Sequence, residues 1–264
     1  MEKLSLWAPS EYESTDDGFA PWLELSLLDT DRPLGAIVVC PGGGYVARAE
    51  HEALRIAKRA NELGFHGFVV QYSVAPHKHP QPLLDLSRAM RLIRQHAFEW
   101  HVAPEHLAVL GFSAGGHLAG SLGVHHAAPY LQEEALADRF SNAPNALILC
   151  YPVISGVNFA HQGSFTNLSG GALDKAFLEE MSLELHVTEA TPPAFLWHTA
   201  DDATVPVENS LLFAQALSQA KVPFELHIYP HGRHGLGLAE ENPHIATWSS
   251  LAGEWLRSLG WPAA

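Results

Sequence analysis

A serine flanked by glycines is the first feature of this sequence with a chemical meaning. Residues 111–115 read Gly-Phe-Ser-Ala-Gly, between the apolar run LAVL and a segment rich in small residues. A G-x-S-x-G turn between a strand and a helix is typical of a nucleophile elbow. Its glycines permit a tight turn, and its serine hydroxyl is exposed above a sheet. We therefore predict that Ser113 is a nucleophile rather than only a helix N-cap.

An elbow serine needs a general base and an acid that orients the base, in the chain order Ser, Asp or Glu, His. Two later loops supply both in that order: Asp201 and Asp202 lie in the first, and His231 and His234 lie in the second. Each loop follows an apolar run that we interpret as a strand, so the two loops meet at the carboxyl edge of a parallel sheet. Residue types alone leave both pairs open.

Three consecutive glycines follow an early apolar run, in the sequence GAIVVC-PGGGY at 35–45. Glycine lets backbone amides approach a developing negative oxygen closely, so this loop and the amide of Ala114 form a candidate oxyanion hole. A phosphate site is disfavoured, because the loop has neither the G-x-G-x-x-G pattern nor the Lys-Ser/Thr ending of a P-loop.

Short apolar runs alternate with amphipathic segments along most of the chain. Such runs must be covered on both faces, as in a parallel sheet flanked by helices. We therefore predict an α/β fold, doubly wound, with a mostly parallel central sheet and helices on both faces. The predicted strands are 35–40, 67–72, 107–111, 146–151, 194–198 and 224–229, and the predicted helices are 46–63, 82–100, 114–124, 207–220 and 243–258.

One segment, 154–191, lies before the penultimate predicted strand and interrupts the alternation. It combines polar and glycine-rich pieces with a short helical stretch near 173–181, and it is longer than an ordinary connection. We predict a lid or substrate loop here, with an extra surface helix as the alternative. Since no linker or repeat divides the chain, residues 1–264 are predicted to form one domain.

Composition narrows the classes of partner. The chain has 15 basic and 29 acidic residues, a formal charge of −14, which disfavours nucleic acid and anionic membranes. The N-terminus lacks a signal-peptide pattern, and Cys40 and Cys150 end predicted buried strands, so the expected location is cytoplasmic. Although the chain has 17 histidines, none stands in a metal-ligand pattern, and we predict neither metal nor cofactor. The oligomeric state is left open.

Several motifs together resemble a known family: PGGGY, YSVAP, GFSAGGHLA, TPPAFLWHTADDATVPVENSL and PHGRHGLGL. They are similar to those of α/β-hydrolase serine esterases, above all bacterial acetyl esterases related to acetylxylan-type carbohydrate esterases. The resemblance runs from about Gly35 to Leu238. Pro41 stands where many relatives carry histidine, which leaves the glycine donors in place.

This resemblance implies the α/β-hydrolase fold and selects among the duplicated candidates. It favours Asp202 over Asp201, because two residues separate the acid from a Val-Pro pair, and His234 over His231, because an apolar residue follows its glycine. It further implies Gly43 and Gly44 as oxyanion donors beside Ala114. Tyr45 and His231 are candidates for substrate contact, and Ser164 and Asn167 for hydrogen bonds to a sugar.

The expected activity is hydrolysis of short-chain carboxylic esters through an acyl-enzyme. The resemblance suggests acetyl groups on small sugars or xylo-oligosaccharides as the substrate. An amide hydrolase, such as a small peptidase or an arylformamidase-like enzyme, is the first alternative, because it would use the same triad. A remote alternative is a binding protein that has the hydrolase fold without the activity. Such proteins usually lack a residue of the triad, and this sequence has candidates for all three.

Overall fold

One eight-stranded sheet organises the chain in the computed structural model, which describes residues 2–14, 18–132, 136 and 139–264. The strand order is β1-β2-β4-β3-β5-β6-β7-β8. The pairs β1–β2 and β2–β4 are antiparallel, and every pairing among β3 to β8 is parallel. The strands are β1 Lys3–Ser5, β2 Trp22–Ser26, β3 Leu34–Cys40, β4 His66–Gln71, β5 Val102–Phe112, β6 Ala146–Cys150, β7 Ala194–Thr199 and β8 Phe224–Tyr229.

Helices cover both faces of this sheet and bury two apolar cores. The α-helices are α1 Leu54–Glu62, α2 Gln81–Gln95, α3 Ala114–His125, α4 Gln162–Ser169, α5 Lys175–Glu180, α6 Glu208–Gln219 and α7 Thr247–Ser258. One core packs α2, α3 and α6 against the sheet, and the other packs α1 and α7 against its opposite face. The inner strands β3 and β6 are buried along their whole length, as a sheet covered on both faces requires.

The predicted fold class is confirmed, and all six predicted strands are present. β1 and β2 were missed because they are short strands at the antiparallel end of the sheet and lack a continuous buried run. β1 has only exposed and half-buried positions, and in β2 half-buried positions alternate with buried ones. The helix predicted for 46–63 is wrong in its first half. There residues 46–49 form turns and loop, and a short 3₁₀ helix spans Glu50–Glu52 before α1 starts at Leu54.

The segment 154–191 is more helical than its glycines and polar residues indicate. It contains α4 and α5, followed by a 3₁₀ turn at Leu183–Leu185. The side chain of His161 caps the start of α4, and Gly170 ends it in the left-handed conformation that glycine adopts at low cost. Phe165 and Leu168 are buried against the body of the fold, so tertiary packing stabilises a helix whose sequence is only weakly amphipathic.

Five functional loops leave the carboxyl edge of the parallel strands. In chain order they follow β3, β5, β6, β7 and β8, and they carry the glycine loop, Ser113, Tyr151, Asp202 and His234. In an open α/β sheet this edge is where ligands bind, because the loops of neighbouring strands converge there.

Candidate active site

Ser113 occupies a strained turn between β5 and α3. Its φ is 52° and its ψ is −118°, a conformation that non-glycine residues rarely adopt. Only glycine fits at the two flanking positions. A Cβ added at Gly111 would lie 2.1 Å from the oxygen of Gly115. A Cβ at Gly115 would lie 2.2 Å from the oxygen of Cys40. The turn therefore has the geometry that the G-x-S-x-G pattern predicts.

Ser113, His234 and Asp202 are joined by a continuous series of hydrogen bonds, which we call the serine chain. His234 Nε2 lies 2.8 Å from Ser113 Oγ, and His234 Nδ1 lies 2.6 Å from Asp202 Oδ2. A carboxylate only accepts hydrogen bonds, so Nδ1 carries the proton and Nε2 is left to accept from the serine hydroxyl. This is the tautomer that general-base activation of a serine needs.

The Asp202 carboxylate is anchored independently of His234. Its Oδ1 accepts from the amides of Thr204 and Val205 at 2.8 and 3.0 Å, and His198 Nε2 lies 3.5 Å from its Oδ2. Burial by itself raises the pKa of this carboxyl, but the hydrogen bonds from His198, His234 and Val205 outweigh burial and hold the pKa well below its usual range. Asp202 is therefore ionised at neutral pH.

The neighbouring candidates Asp201 and His231 pair with each other instead. His231 Nδ1 lies 2.9 Å from Asp201 Oδ2, and the amide of Gly232 donates to Asp201 Oδ1 at 2.7 Å. The His231 side chain is 85% exposed, so it faces solvent rather than Ser113. This pair links the loops after β7 and β8 without joining the serine chain.

The glycine loop after β3 is pressed against the elbow. A Cβ added at Gly42 would lie 2.9 Å from the oxygen of Phe112 and 3.2 Å from Ser113 Cβ. Among the described residues the amides of Gly43, Gly44 and Ala114 have no acceptor, whereas the amide of Gly42 donates to Glu52. The predicted donors are thus the amides left unpaired, and positive φ values of 131° and 62° at Gly43 and Gly44 explain the glycines there.

Tyr45 lies beneath the site, which differs from its expected place beside the substrate. Its side chain is buried, and its hydroxyl lies 2.8 Å from His117 Nδ1, while His117 Nε2 donates to the oxygen of Met181. The His117 ring also packs edge to face on Tyr45 and on Phe165 of α4, with centroids 5.8 and 5.2 Å apart. Tyr45 therefore supports the glycine loop from below.

The insertion 154–191 packs directly on the glycine loop. Asn167 Nδ2 donates to the oxygen of Gly44 at 2.8 Å, and buried Ser164 bonds to His161. Both side chains predicted to contact a sugar are thus engaged within the protein. Burial and the neighbouring His234 lower the pKa of His161, which indicates that the start of α4 lies near the serine chain.

Two further residues at this edge escaped the sequence analysis. Glu52 and Tyr151 are buried, and their side chains are hydrogen-bonded to each other at 2.6 Å. Glu52 fell within a predicted helix, and Tyr151 ended a predicted strand, so neither stood out. No motif or spacing in the sequence distinguishes this pair.

The described part of the chain has no group of three or more His, Cys, Asp or Glu side chains arranged to hold a metal ion. None of its helices is long and apolar enough to cross a membrane.

Comparisons with known proteins agree with this geometry. A family model described as BD-FAE matches residues 28–217. The chain is 38% identical over 250 residues to endo-1,4-beta-xylanase B of Butyrivibrio fibrisolvens, covering 93% of this chain and 39% of that protein. It is 32% identical to the acetylxylan esterase of Xylanibacter ruminicola, covering 94% and 50%. The chain therefore spans about two fifths to one half of the length of these relatives.

One solved structure aligns with this chain over almost the full length of both proteins. It is the acetyl ester-xyloside bifunctional hydrolase from Caldicellulosiruptor lactoaceticus, with a TM-score of 0.94 and 44% sequence identity. The alignment covers 99% of this chain and 97% of that one.

Proposed function

The chain belongs to the BD-FAE family, whose matched region contains the glycine loop and the serine elbow, and we propose that it is a serine esterase for short-chain carboxylic esters. Its proposed substrates are acetyl esters of small sugars or xylo-oligosaccharides. The observation that carries the activity is the chain of hydrogen bonds from Ser113 through His234 to Asp202.

Acylation follows from the positions of these atoms. Ser113 Oγ attacks the ester carbonyl carbon while His234 Nε2 takes the hydroxyl proton, and Asp202 stabilises the imidazolium that forms. The carbonyl oxygen becomes an oxyanion, and the amides of Gly43, Gly44 and Ala114 donate to it. When the tetrahedral intermediate collapses, the bond to the alcohol oxygen breaks, and the imidazolium returns its proton to that oxygen.

Deacylation repeats the sequence with water. His234 removes a proton from a water molecule, whose oxygen attacks the acyl carbon on Ser113. Collapse of the second intermediate breaks the bond to Ser113 Oγ, which takes its proton back from His234. The products are acetic acid and the free alcohol, and the enzyme is restored.

The substrate class rests on the relatives and on the insertion. Relatives at 32% and 44% identity are described as an acetylxylan esterase and an acetyl ester-xyloside bifunctional hydrolase. A groove of 590 Å³ on the insertion is lined partly by Phe159 and Leu173, whose exposed apolar surfaces suit the faces of a sugar ring. We propose that segment 154–191 is a substrate loop that binds the sugar. We favour ester cleavage over amide cleavage because the names of these relatives refer to acetyl esters.

The test is acetate release from acetylated xylo-oligosaccharides, measured beside p-nitrophenyl acetate and p-nitrophenyl butyrate. We expect release from the sugar that Ser113→Ala abolishes, and faster cleavage of acetate than of butyrate. Cleavage of the activated esters alone would refute the sugar substrate and leave a general carboxylesterase. No serine-dependent cleavage of any ester would refute the proposed activity, and matched amide substrates would then be tested.

The proposed location is the cytoplasm. Cys40 and Cys150 are both buried free thiols, which is consistent with a reducing compartment. Fractionation of the native host, with the protein followed by antibody, tests this location.

A further inference from the structure

A buried carboxylate beside the serine elbow has no part in the proposed reaction. Glu52 is 2% exposed and lies in the 3₁₀ turn that follows the glycine loop. Its Oε2 accepts from the amide of Gly42 at 2.9 Å, and its Oε1 accepts from the Tyr151 hydroxyl at 2.6 Å. Burying a carboxylate costs free energy unless hydrogen bonds compensate, so these two contacts account for its place in the interior.

Tyr151 connects this carboxylate to the histidine loop. Its hydroxyl accepts from the amide of Gly237 at 2.8 Å while donating to Glu52. Gly237 lies three residues after His234, and the rings of Tyr151 and His234 meet edge to face with centroids 5.0 Å apart. Tyr151 is buried and has a φ of 36°, so its backbone is held in a region that non-glycine residues rarely adopt.

We propose that Glu52 and Tyr151 are positioning residues that hold the oxyanion loop and the histidine loop in one fixed arrangement. The inference rests on the proposed function. The connection runs from the Gly42 amide through the carboxylate and the hydroxyl to the Gly237 amide. It joins the loop that follows β3 to the loop that follows β8, which lie on opposite sides of β5, β6 and β7 in the strand order.

The contact at Gly42 orients the proposed oxyanion donors. Because the Gly42 amide is bonded to Glu52, the peptide plane between Pro41 and Gly42 is fixed, and the next two amides are left free for a substrate oxygen. The fit is close, since a Cβ added at Gly42 would lie 2.6 Å from Glu52 Oε2. Oxyanion donors act only within a narrow range of distance, so a small shift of this loop weakens catalysis.

A second contact supports the same arrangement. His51 Nε2 lies 3.1 Å from the oxygen of Gly235 and 3.6 Å from Glu52 Oε1. Two of the three residues of the 3₁₀ turn are therefore connected to the histidine loop, His51 directly and Glu52 through Tyr151.

The test uses Tyr151→Phe, Glu52→Gln and the double variant. Tyr151→Phe keeps the ring against His234 and removes only the hydroxyl, and Glu52→Gln keeps the size of the side chain but loses one acceptor. Tyr229→Phe is the matched control, because its buried hydroxyl meets only Thr247 at 3.3 Å among the described residues. For each protein, kcat and KM for p-nitrophenyl acetate are measured per active site titrated with a fluorophosphonate, together with Tm.

We expect each single variant to lower kcat by about 10- to 100-fold with little change in KM, since the transition state is affected more than the substrate complex. Affinity for a boronic acid that forms a tetrahedral adduct on Ser113 should fall in parallel. Because the two residues form one connection, the double variant should lose no more than about threefold beyond the worse single variant. Tyr229→Phe should keep wild-type kcat.

Values of kcat per titrated site within twofold of wild type in both single variants would overturn the inference, even if Tm falls. Losses that multiply in the double variant would also overturn it, because they would show two independent roles. If Glu52→Gln does not fold, the kcat and the boronic acid affinity of Tyr151→Phe test the inference. A wild-type protein that cleaves no ester refutes the proposed function instead, so the two failures are distinguishable.

Discussion

Asp201 and Asp202 are adjacent in the sequence, but their side chains lie in different surroundings. Asp202 points inward, where two amides and two histidines surround its carboxylate, and Asp201 points outward to His231 and Gly232. Consecutive side chains in a tight turn diverge, so the same residue type serves as a buried anion and as a surface link. Because of this difference, a substitution of Asp201 serves as the control for the same substitution of Asp202.

Asp202→Asn should lower kcat for p-nitrophenyl acetate by on the order of 10⁴-fold. An asparagine amide can donate to His234 Nδ1 and so favours the tautomer in which Nε2 carries the proton and cannot accept from Ser113. Steady-state kinetics with purified proteins measure the effect. Asp201→Asn, the matched control at an exposed position, should keep kcat within about threefold. Equal losses in the two variants would contradict the assignment of Asp202 as the acid.

A second feature at this scale is the neutral imidazole of His117. Its side chain is buried between Tyr45 and the oxygen of Met181, and burial lowers its pKa to about 4 despite the hydrogen bond to that oxygen. In the unfolded chain the pKa of histidine is near 6.5. Between these two values the unfolded state binds more protons than the folded state, so stability falls as pH falls from about 6.5 towards 4.

His117→Gln should therefore reduce the pH dependence of unfolding. At pH 5 the wild-type protein should have lost about 2 kcal/mol relative to pH 8 on account of this residue, and the variant should lack that part of the loss. Urea unfolding at both pH values measures the difference. His79 and His125, whose pKa values are also lowered by burial, remain in both proteins and cancel. Parallel pH profiles would contradict the prediction.

At the scale of elements, α4 determines what lies over the glycine loop. It packs on the core through Phe165 and Leu168 and reaches Gly44 through Asn167. The insertion thus contributes to the site by contacting the backbone of the glycine loop. Sequence reasoning missed this helix because helix periodicity is weak over eight residues and its stabilising contacts are tertiary.

Asn167→Ala should lower kcat by about three- to tenfold for all esters, because the oxygen of Gly44 loses the hydrogen bond that restrains the adjacent amides, which are the proposed oxyanion donors. Ser169→Ala on the same helix is the control, since the described contacts of Ser169 stay within the segment that ends α4. Kinetics with p-nitrophenyl acetate and an acetylated xylo-oligosaccharide measure both. A change in KM for the sugar alone would contradict the loop-restraint explanation and indicate a direct sugar contact.

At the scale of the whole molecule, one buried carboxylate ties the N-terminal segment to the body of the fold. Asp85 on α2 accepts from Trp7 Nε1, from the amide of Ser73 and from Gln81 Nε2, at 2.7 to 2.8 Å. Trp7 follows β1, which with β2 extends the sheet at its antiparallel edge. A buried group with three donors fixes this segment in addition to the apolar contacts that Leu6 and Trp7 make with the core.

Asp85→Ala should lower the free energy of unfolding by about 2–4 kcal/mol, because three donors, at least one of them buried, lose their acceptor. Chemical denaturation measures this change, and kcat per titrated site should stay within twofold of wild type. Glu62→Ala is the control, since its ion pair with Arg59 is largely exposed and should contribute under about 1 kcal/mol. Equal losses in the two variants would contradict the structural role of Asp85.

The fold and the elbow at Ser113 were predictable from local patterns. Buried parallel strands are continuous apolar runs, and the elbow needs glycines at two set positions around Ser113, so both leave a clear trace in the sequence. The choice between Asp201 and Asp202, and between His231 and His234, came from the family resemblance, because residue type alone does not say which side chain points inward.

Only the tertiary structure revealed the connection through Glu52 and Tyr151, the buried place of Tyr45 and the contact of α4 with Gly44. These features join residues 99, 72 and 123 positions apart in the sequence. Their physical cause is the packing of loops that follow different strands, and no local periodicity or propensity records it. Sequence determined which groups can react, and packing decided which groups hold them in place.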